Sequence, residues 1–464
     1  MMALWNASEL AEAVDGKASA DFEVDGVAFD SREVGKGDLF FALKGEESDG
    51  HLYLDKAYAS GGSGAIVSAP IDGPHILVSD TTEALNKLAI ASRARTSAKI
   101  IGVTGSVGKT GTKEALYAAL DRCSLGKAHR SVKSYNNHVG VPLSLSRMPT
   151  ETKFGIFEMG MNHPGELSEL TKLVRPDVAI VTAIAPAHVG FFTGEEQIAD
   201  AKAEIFEGLT KDGTAVIPFD SPHNDRLKKA ALKYTQNIVS FGFGERADVR
   251  AVDVVPAQGG GSQVTAKLGG RRLCFTISAP GRHWVSNALA ILAAVHAVGG
   301  DLASAGLALA ELEGLDGRGK RHQIALKDDG QALLIDESYN ANPVSMTATL
   351  AQLAAEDCNG RKIAILGAMG ELGDKAQTYH EALADDIRAA GIASVILVGD
   401  EMAHTAAKLS DGIDSNIEIT HVASSSEALA EVAKTISDGD ILLIKGSNYL
   451  GLSSVVSALA SGEY

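Results

Sequence analysis

Cysteine is scarce in this chain: three in 464 residues, Cys123, Cys274 and Cys358, far apart and without metal-ligand spacing. That excludes a disulfide scaffold and a cysteine-ligated zinc site, and it fits the reduced thiols of a cytoplasmic protein. Long hydrophobic runs are missing as well. The most apolar stretch, Asn287–Val298, carries His296 and stops at Gly299-Gly300, so it reads as a buried helix and not as a membrane span. The N-terminal MMALWNASEL has no basic segment followed by an apolar one, so no secretory signal and no stable membrane insertion are expected. Positive charge is in deficit, with 42 Lys and Arg against 59 Asp and Glu and a net charge of −17. A nucleic-acid binder would show a basic stripe, so no nucleic-acid partner is expected. A phosphorylated small molecule is not excluded, because backbone amides can hold phosphate.

What is present begins with Ile100–Thr112, IIGVTGSVGKTGT. An apolar run enters a glycine-punctuated turn, then Lys109 and Thr110, then a helical pattern. Strand, loop and helix start in that order make a phosphate cradle, with unpaired N–H groups and the helix dipole facing an anion. Thr104, Gly105, Ser106, Val107 and Gly108 would line it, Lys109 would reach the outer phosphates of ATP, and the Thr110 hydroxyl would sit on Mg²⁺. The common form has four residues between its first glycine and the Gly-Lys pair. Here only Ser106 and Val107 separate Gly105 from Gly108, and Val103 stands at the usual first-glycine position. The plain alternative is a glycine turn between a strand and a helix.

The length predicts about three domains, and the fold class is α/β. Residues 1–80 read as a small α/β domain, with strands over Val24–Ser31 and Asp38–Leu43 joined by the Gly35-Lys36-Gly37 turn. Ser31 and Arg32 follow one strand and Lys44-Gly45 the other, placed to hold a pyrophosphate or to form a polar hairpin rim. Residues 81–315 alternate strand and helix, the mark of a parallel sheet wrapped by helices. Ligands collect at the C-terminal edge of such sheets. Glu158 ends one strand there and His188 follows the next, as magnesium candidates or as a helix-capping carboxylate and a structural histidine. Lys202 reads as a surface lysine, and Asn287, in the first turn of a helix, could read an adenine edge or merely start that helix. Residues 316–464 contain four apolar strands ending in glycine-rich or polar loops, a Rossmann-like pattern without GxGxxG, so no dinucleotide is expected.

These stretches resemble the Mur ligases, nearly end to end. TGSVGKT is similar to the family's shortened P-loop. DSREVGKGDLFFALKGEESDGH resembles its uridine-diphosphate site, with Ser31, Arg32, Lys44 and Gly45. YNNHVGVP resembles its substrate loop, with Asn136 and Asn137. FEMGMNHPGE and APAHVGFF resemble the segments that supply the magnesium Glu and His, here Glu158 and His188. AKAEIF resembles the segment whose lysine, here Lys202, becomes a metal-binding carbamate. Arg318 resembles the arginine that contacts phosphate on closure, and Asp336, Tyr339 and Asn340 would lie about the nucleotide. DESYNANP, LGAMGELG and KGSN resemble the loops of members that add a D-alanyl-D-alanine dipeptide, with Lys445, Gly446 and Ser447 on the dipeptide. The chain departs from the pattern at Trp284, Ala341, Ala368 and Asn448.

The resemblance implies a monomeric cytoplasmic enzyme of three domains: a UDP-substrate domain, a P-loop ATPase domain and a Rossmann-like dipeptide domain. It implies ATP and Mg²⁺ as cofactors and UDP-MurNAc-tripeptide and D-Ala-D-Ala as small-molecule substrates, joined through an acyl phosphate. Lys109, Glu158, His188, Lys202 and Arg318 would be catalytic. The rival readings are a sister ligase that adds one amino acid and a P-loop protein that binds nucleotide without catalysis.

Overall fold

Three large sheets organise the described residues, beside a two-stranded ladder of Trp5–Asn6 with Glu23–Val24, and each of the three presents one loop-bearing edge. The structure, a computed structural model, describes residues 3–45, 48–186, 192, 194–258, 260–326, 330–411 and 417–464.

The first sheet runs in the order Lys17–Ala18, His75–Leu77, Gly64–Val67, Asp38–Phe41, Gly26–Ala28. Its last four strands are parallel, and Ala28 stands opposite Phe40. The Gly26–Ala28 and Asp38–Phe41 strands are therefore not the arms of a hairpin: the polar Phe29–Gly37 connection crosses back over the edge. Parallel pairing brings the loops after Ala28 and after Phe41 to the same side, so Ser31-Arg32 and Lys44-Gly45 share one rim. The helix Thr81–Ala94, capped by the Asp80 carboxylate on Thr82 N and Glu83 N, packs Leu85 and Leu88 into this core. Its Ala89 packs into the next core, so the helix is common to both.

The second sheet has nine strands, in the order Arg271–Ile277, Ser262–Leu268, Val249–Pro256, Asn237–Gly242, Thr214–Pro218, Val178–Val181, Lys99–Thr104, Phe154–Glu158, Ala128–Arg130. From Val249–Pro256 onward every neighbour is parallel, and the last two strands in sequence form an antiparallel extension. The described glycines Gly260, Gly261, Gly269 and Gly270 lie at the ends of the Ser262–Leu268 strand in this extension. Both faces are covered. The helices Lys109–Ser124, Arg282–Ala297 and Leu302–Ala310 fill one side. The helices Gly140–Ser146, Glu166–Val174 and Glu195–Ala203 fill the other. Sheets buried on both faces need near-continuous apolar strands, which explains why Val178–Val181 is wholly buried.

The third sheet orders as Lys320–Ala325, Gln331–Glu337, Ile441–Lys445, Lys362–Gly367, Ser394–Val398, Glu418–Val422. Four of these are the expected apolar strands. The two additions are both edges: the antiparallel strand Lys320–Ala325, directly after the 314–319 loop, and the polar Glu418–Val422. Edge strands are half-solvated, so their sequences carry less apolar signal. Glu337 pairs with Lys445, Leu366 with Lys445 and Gly367 with Val398, so the loops after these strands open together. Among the described residues no helix is long and apolar enough to cross a membrane.

Candidate active site

The P-loop leaves the middle of the nine-stranded sheet. Val103 is level with Glu158 and Thr104 with Val181, so three strand ends deliver their loops to one place. Two glycines make the turn. Gly108 has φ +86°, and a Cβ there would lie 2.9 Å from Asn287 Oδ1. A Cβ on Gly105 would lie 2.0 Å from Thr182 Oγ1. The loop is braced from below: Ser106 N donates to Ala183 O at 2.8 Å, Ser106 Oγ to Ala185 O at 2.9 Å, and Thr182 Oγ1 to Val107 O at 2.6 Å. The helix Lys109–Ser124 then starts at Gly108 with no side-chain cap, leaving its first amides for an anion. Lys109 Nζ donates to Gly105 O at 2.8 Å, folded over the turn of its own loop. Burial holds this ammonium below its ordinary pKa, and the nearby Arg318 charge adds to the effect.

Beside the loop lies a compact oxygen site. Thr110 Oγ1 donates to Glu158 Oε2 at 2.9 Å, and Asn136 Nδ2 donates to Glu158 Oε1 at 2.8 Å. Glu158 is 1% exposed, too buried to be a simple surface cap. A hydroxyl and a carboxylate are the hard donors that Mg²⁺ takes, with phosphate and water completing the shell. The described residues contain no group of three or more His, Cys, Asp or Glu able to enclose a metal alone. His188 lies outside the described residues. Lys202, on the helix Glu195–Ala203, is not a surface lysine: it is 1% exposed, and its ammonium has no hydrogen bond or ion pair with another described residue. Burial, reinforced by the Lys109 charge, drives its pKa well below the ordinary lysine value.

Asn287 lies against the P-loop, one helical turn after Trp284, whose ring covers Gly111: a Cβ on that glycine would be 2.7 Å from Trp284 Cη2. From the third domain, Arg318 stacks 4.0 Å over the Tyr339 ring and its Nη2 stands 3.5 Å from Ser134 Oγ of the middle domain. Asp336 accepts from Gly317 N at 2.6 Å and from Ser338 Oγ at 2.6 Å, so it shapes the 314–319 loop that carries Arg318. Asn340 Oδ1 accepts from Ala341 N. Lys445 is buried and donates to Asn340 O at 2.9 Å. Burial lowers its pKa, and Glu337 and Arg318 act on it in opposite senses. Ser447 Oγ accepts from Gly370 N at 2.8 Å, tying two strand-end loops together, and Gly446 passes close under Leu452 and Gly367.

In the first domain Ser31 is buried, while Arg32 forks onto Asp30 and holds that carboxyl down at about 2. Lys44 and Asp49 pair through their backbones in an isolated antiparallel bridge. Asn137 Oδ1 accepts from Gly140 N, in the turn that leads into the helix Gly140–Ser146, which leaves Asn136 as the partner of Glu158. The residues that converge are therefore Lys109, Thr110, Glu158, Asn136, Lys202, Asn287 and Arg318, with the first-domain rim and the Lys445 loop on either side. Sequence reasoning missed Thr182, Ser134 and Lys113. The last is a lysine one turn beyond Thr110 on the buried face of an otherwise apolar helix stripe, and that misplaced charge was a usable signal.

Comparison with known proteins agrees with this layout. The Mur ligase family, catalytic domain model matches residues 23–95, the Mur ligase middle domain 103–295, and the Mur ligase, glutamate ligase domain 320–448. The chain belongs to the Mur ligase family. This Mur ligase is 33% identical to the UDP-N-acetylmuramoyl-tripeptide--D-alanyl-D-alanine ligase of Rickettsia prowazekii (strain Madrid E), over 98% of its own length and 99% of the relative's. It is 33% identical to the enzyme of that name from Escherichia coli (strain K12), over 97% of each chain. Among solved structures it superposes on MurF from Acinetobacter baumannii with TM-score 0.83 and 30% identity, covering 98% and 99% of the two chains. MurF from Thermotoga maritima, solved in complex with ADP, gives 0.76 at 26% identity, over 94% and 97%.

Proposed function

We propose that this protein is an ATP-dependent ligase that joins D-alanyl-D-alanine to UDP-MurNAc-tripeptide, giving the pentapeptide precursor of peptidoglycan with ADP and phosphate. The observation that carries this reading is the near full-length match to relatives of that name, through all three domains. A sister ligase adding one amino acid is disfavoured by the same comparison.

A carboxylate is a poor electrophile because its leaving group would be oxide. Transfer of the γ-phosphoryl of ATP to the tripeptide carboxylate makes an acyl phosphate, and the dipeptide amine then displaces phosphate through a tetrahedral intermediate. The protein's part is positioning and charge neutralisation. The Gly105–Thr110 amides and Lys109 hold the phosphates, which requires Lys109 to leave the Gly105 carbonyl. Asn287 lies beside the P-loop, placed for the adenine, with Tyr339 and Asn340 on the facing domain. Thr110 and Glu158 are the residues present that would hold Mg²⁺, with His188 and Lys202 for a second ion; the metal supplies charge neutralisation on the phosphates. Burial that lowers an amine's pKa favours its neutral form, which can add carbon dioxide with loss of a proton, and the resulting carbamate is a carboxylate-like ligand, the role proposed for Lys202. Ser31, Arg32, Lys44, Gly45, Asn136 and Asn137 form the proposed nucleotide-sugar rim, and Lys445, Gly446 and Ser447 the dipeptide side. Arg318 crosses the hinge to the phosphate, so closure excludes water from the acyl phosphate. The domain limits proposed are 1–80, 81–315 and 316–464.

The test is a heavy-oxygen label in the terminal carboxylate of the tripeptide. With ATP and the dipeptide, one labelled oxygen passes into the released phosphate in each turnover; unlabelled phosphate contradicts the acyl phosphate. Lys109→Ala abolishes release while circular dichroism stays native.

A further inference from the structure

Lys113 is fully buried, yet nothing in the phosphate chemistry uses it. Its Nζ donates to Ser131 O at 3.0 Å and to Lys133 O at 2.6 Å, pairs with Glu114 Oε1 at 2.9 Å, and lies 4.0 Å from Glu158 Oε2. The three ammonium hydrogens thus all have partners, and two of them hold the backbone of the 131–137 loop. Lys133 has φ +53°, a left-handed conformation that a side chain-bearing residue keeps only when its surroundings enforce it. The bond from Lys113 to the Lys133 carbonyl is such a constraint.

The loop held in this way touches every domain. Lys133 Nζ pairs with Glu33 of the first domain, and Tyr135 OH donates to the same carboxylate at 2.8 Å. Ser134 Oγ meets Arg318 of the third domain. Asn136 donates to Glu158, which accepts from Thr110. Thr110 and Lys113 are three residues apart on one helix, so they face the same side. The helix that begins at the P-loop therefore grips this loop twice, through Thr110–Glu158–Asn136 and through Lys113.

Resting on the ligase reading above, we propose that Lys113 is a positioning residue: it fixes the 131–137 loop to the P-loop helix, so that nucleotide at the P-loop orders the loop on which the first and third domains meet. Removing the ammonium frees the Ser131 and Lys133 carbonyls and leaves the Gly105–Thr110 backbone as it is. Lys113→Met keeps the unbranched stem and deletes the donors together with the charge that faces Glu114 and Glu158.

The experiment pairs amide hydrogen exchange with kinetics. In the wild-type protein, ADP with Mg²⁺ slows exchange across 131–137 by about tenfold, equivalent to ~1.4 kcal/mol of added protection. Lys113→Met loses that protection and still binds ADP within about threefold of wild type, under 1 kcal/mol. Its KM for UDP-MurNAc-tripeptide rises about tenfold, while its KM for ATP stays put, a split that general loosening would not give. Unprotected wild-type amides at 131–137 overturn the proposal even if the variant fails to fold. Unchanged protection and KM in a folded Lys113→Met overturn it equally. A wild type that shows the ADP protection but makes no amide bond refutes the ligase reading and leaves the coupling standing.

Discussion

At the scale of single residues, the site depends on groups held in states their types rarely adopt. Gly108 sits at φ +86° with Asn287 at the distance of a missing Cβ. Gly108→Ala pays left-handed strain of about 1 kcal/mol and pushes Asn287 away. ADP affinity, read by calorimetry, falls about tenfold or more, ~1.4 kcal/mol, with a smaller drop in thermal midpoint. Lys202 is buried and unpaired among the described residues, its amine held well below the usual pKa by burial. Lys202→Ala is strongly impaired in phosphate release and partly recovers in formate or acetate, which would stand in for the proposed carbamate. Full activity without rescue returns Lys202 to packing alone. The sequence by itself read this residue as surface lysine, because its neighbours Glu204 and Glu207 look like a solvated face; only burial, a property of the fold, separates the two readings. Lys109, by contrast, was legible from order alone, since strand, glycine, lysine and threonine in succession have few other uses.

At the scale of elements, strand ends determine what meets. The central apolar strands were readable because burial on both faces demands continuous hydrophobic runs. The edge strands Lys320–Ala325 and Glu418–Val422 were not, since half-solvated strands need no such run. The parallel pairing of Gly26–Ala28 with Asp38–Phe41 was hidden for another reason: a glycine turn between two strands looks the same whether the chain reverses or crosses over. One element carries a pH dependence. His129, on the short edge strand Ala128–Arg130, places Nε2 2.8 Å from Ser144 O, and burial drives its pKa down to about 4. The unfolded chain, titrating near 6.5, binds the extra proton between those values. Stability is therefore full above about pH 6.5 and declines toward pH 4, by at most ~3 kcal/mol. Urea midpoints from pH 7 to pH 4 should show this slope, and His129→Gln should flatten it; an equal slope in the variant assigns the acid sensitivity elsewhere.

At the scale of the whole molecule, three sheets turn their loop-bearing edges toward the Ser131–Asn137 loop, and each is bonded to it or beside it. That arrangement explains why the shortened P-loop alone says little: in the proposed function it serves only phosphate, and the acceptor carboxylate and the attacking amine would come from the flanking domains. Domain number and order could be read from composition and motif sequence. The convergence could not, because Glu33, Ser134 and Arg318 are far apart in the chain and ordinary in type. The central claim is the identity of the amine, and one measurement addresses it. Purified protein with ATP, Mg²⁺ and UDP-MurNAc-tripeptide is offered D-Ala-D-Ala, D-Ala, lysine or diaminopimelate in turn, and products are weighed by mass spectrometry. The account predicts a single product, the tripeptide extended by the dipeptide with one phosphate released per bond, and none with the free amino acids. A product carrying one added amino acid, or no product with the dipeptide, would contradict it.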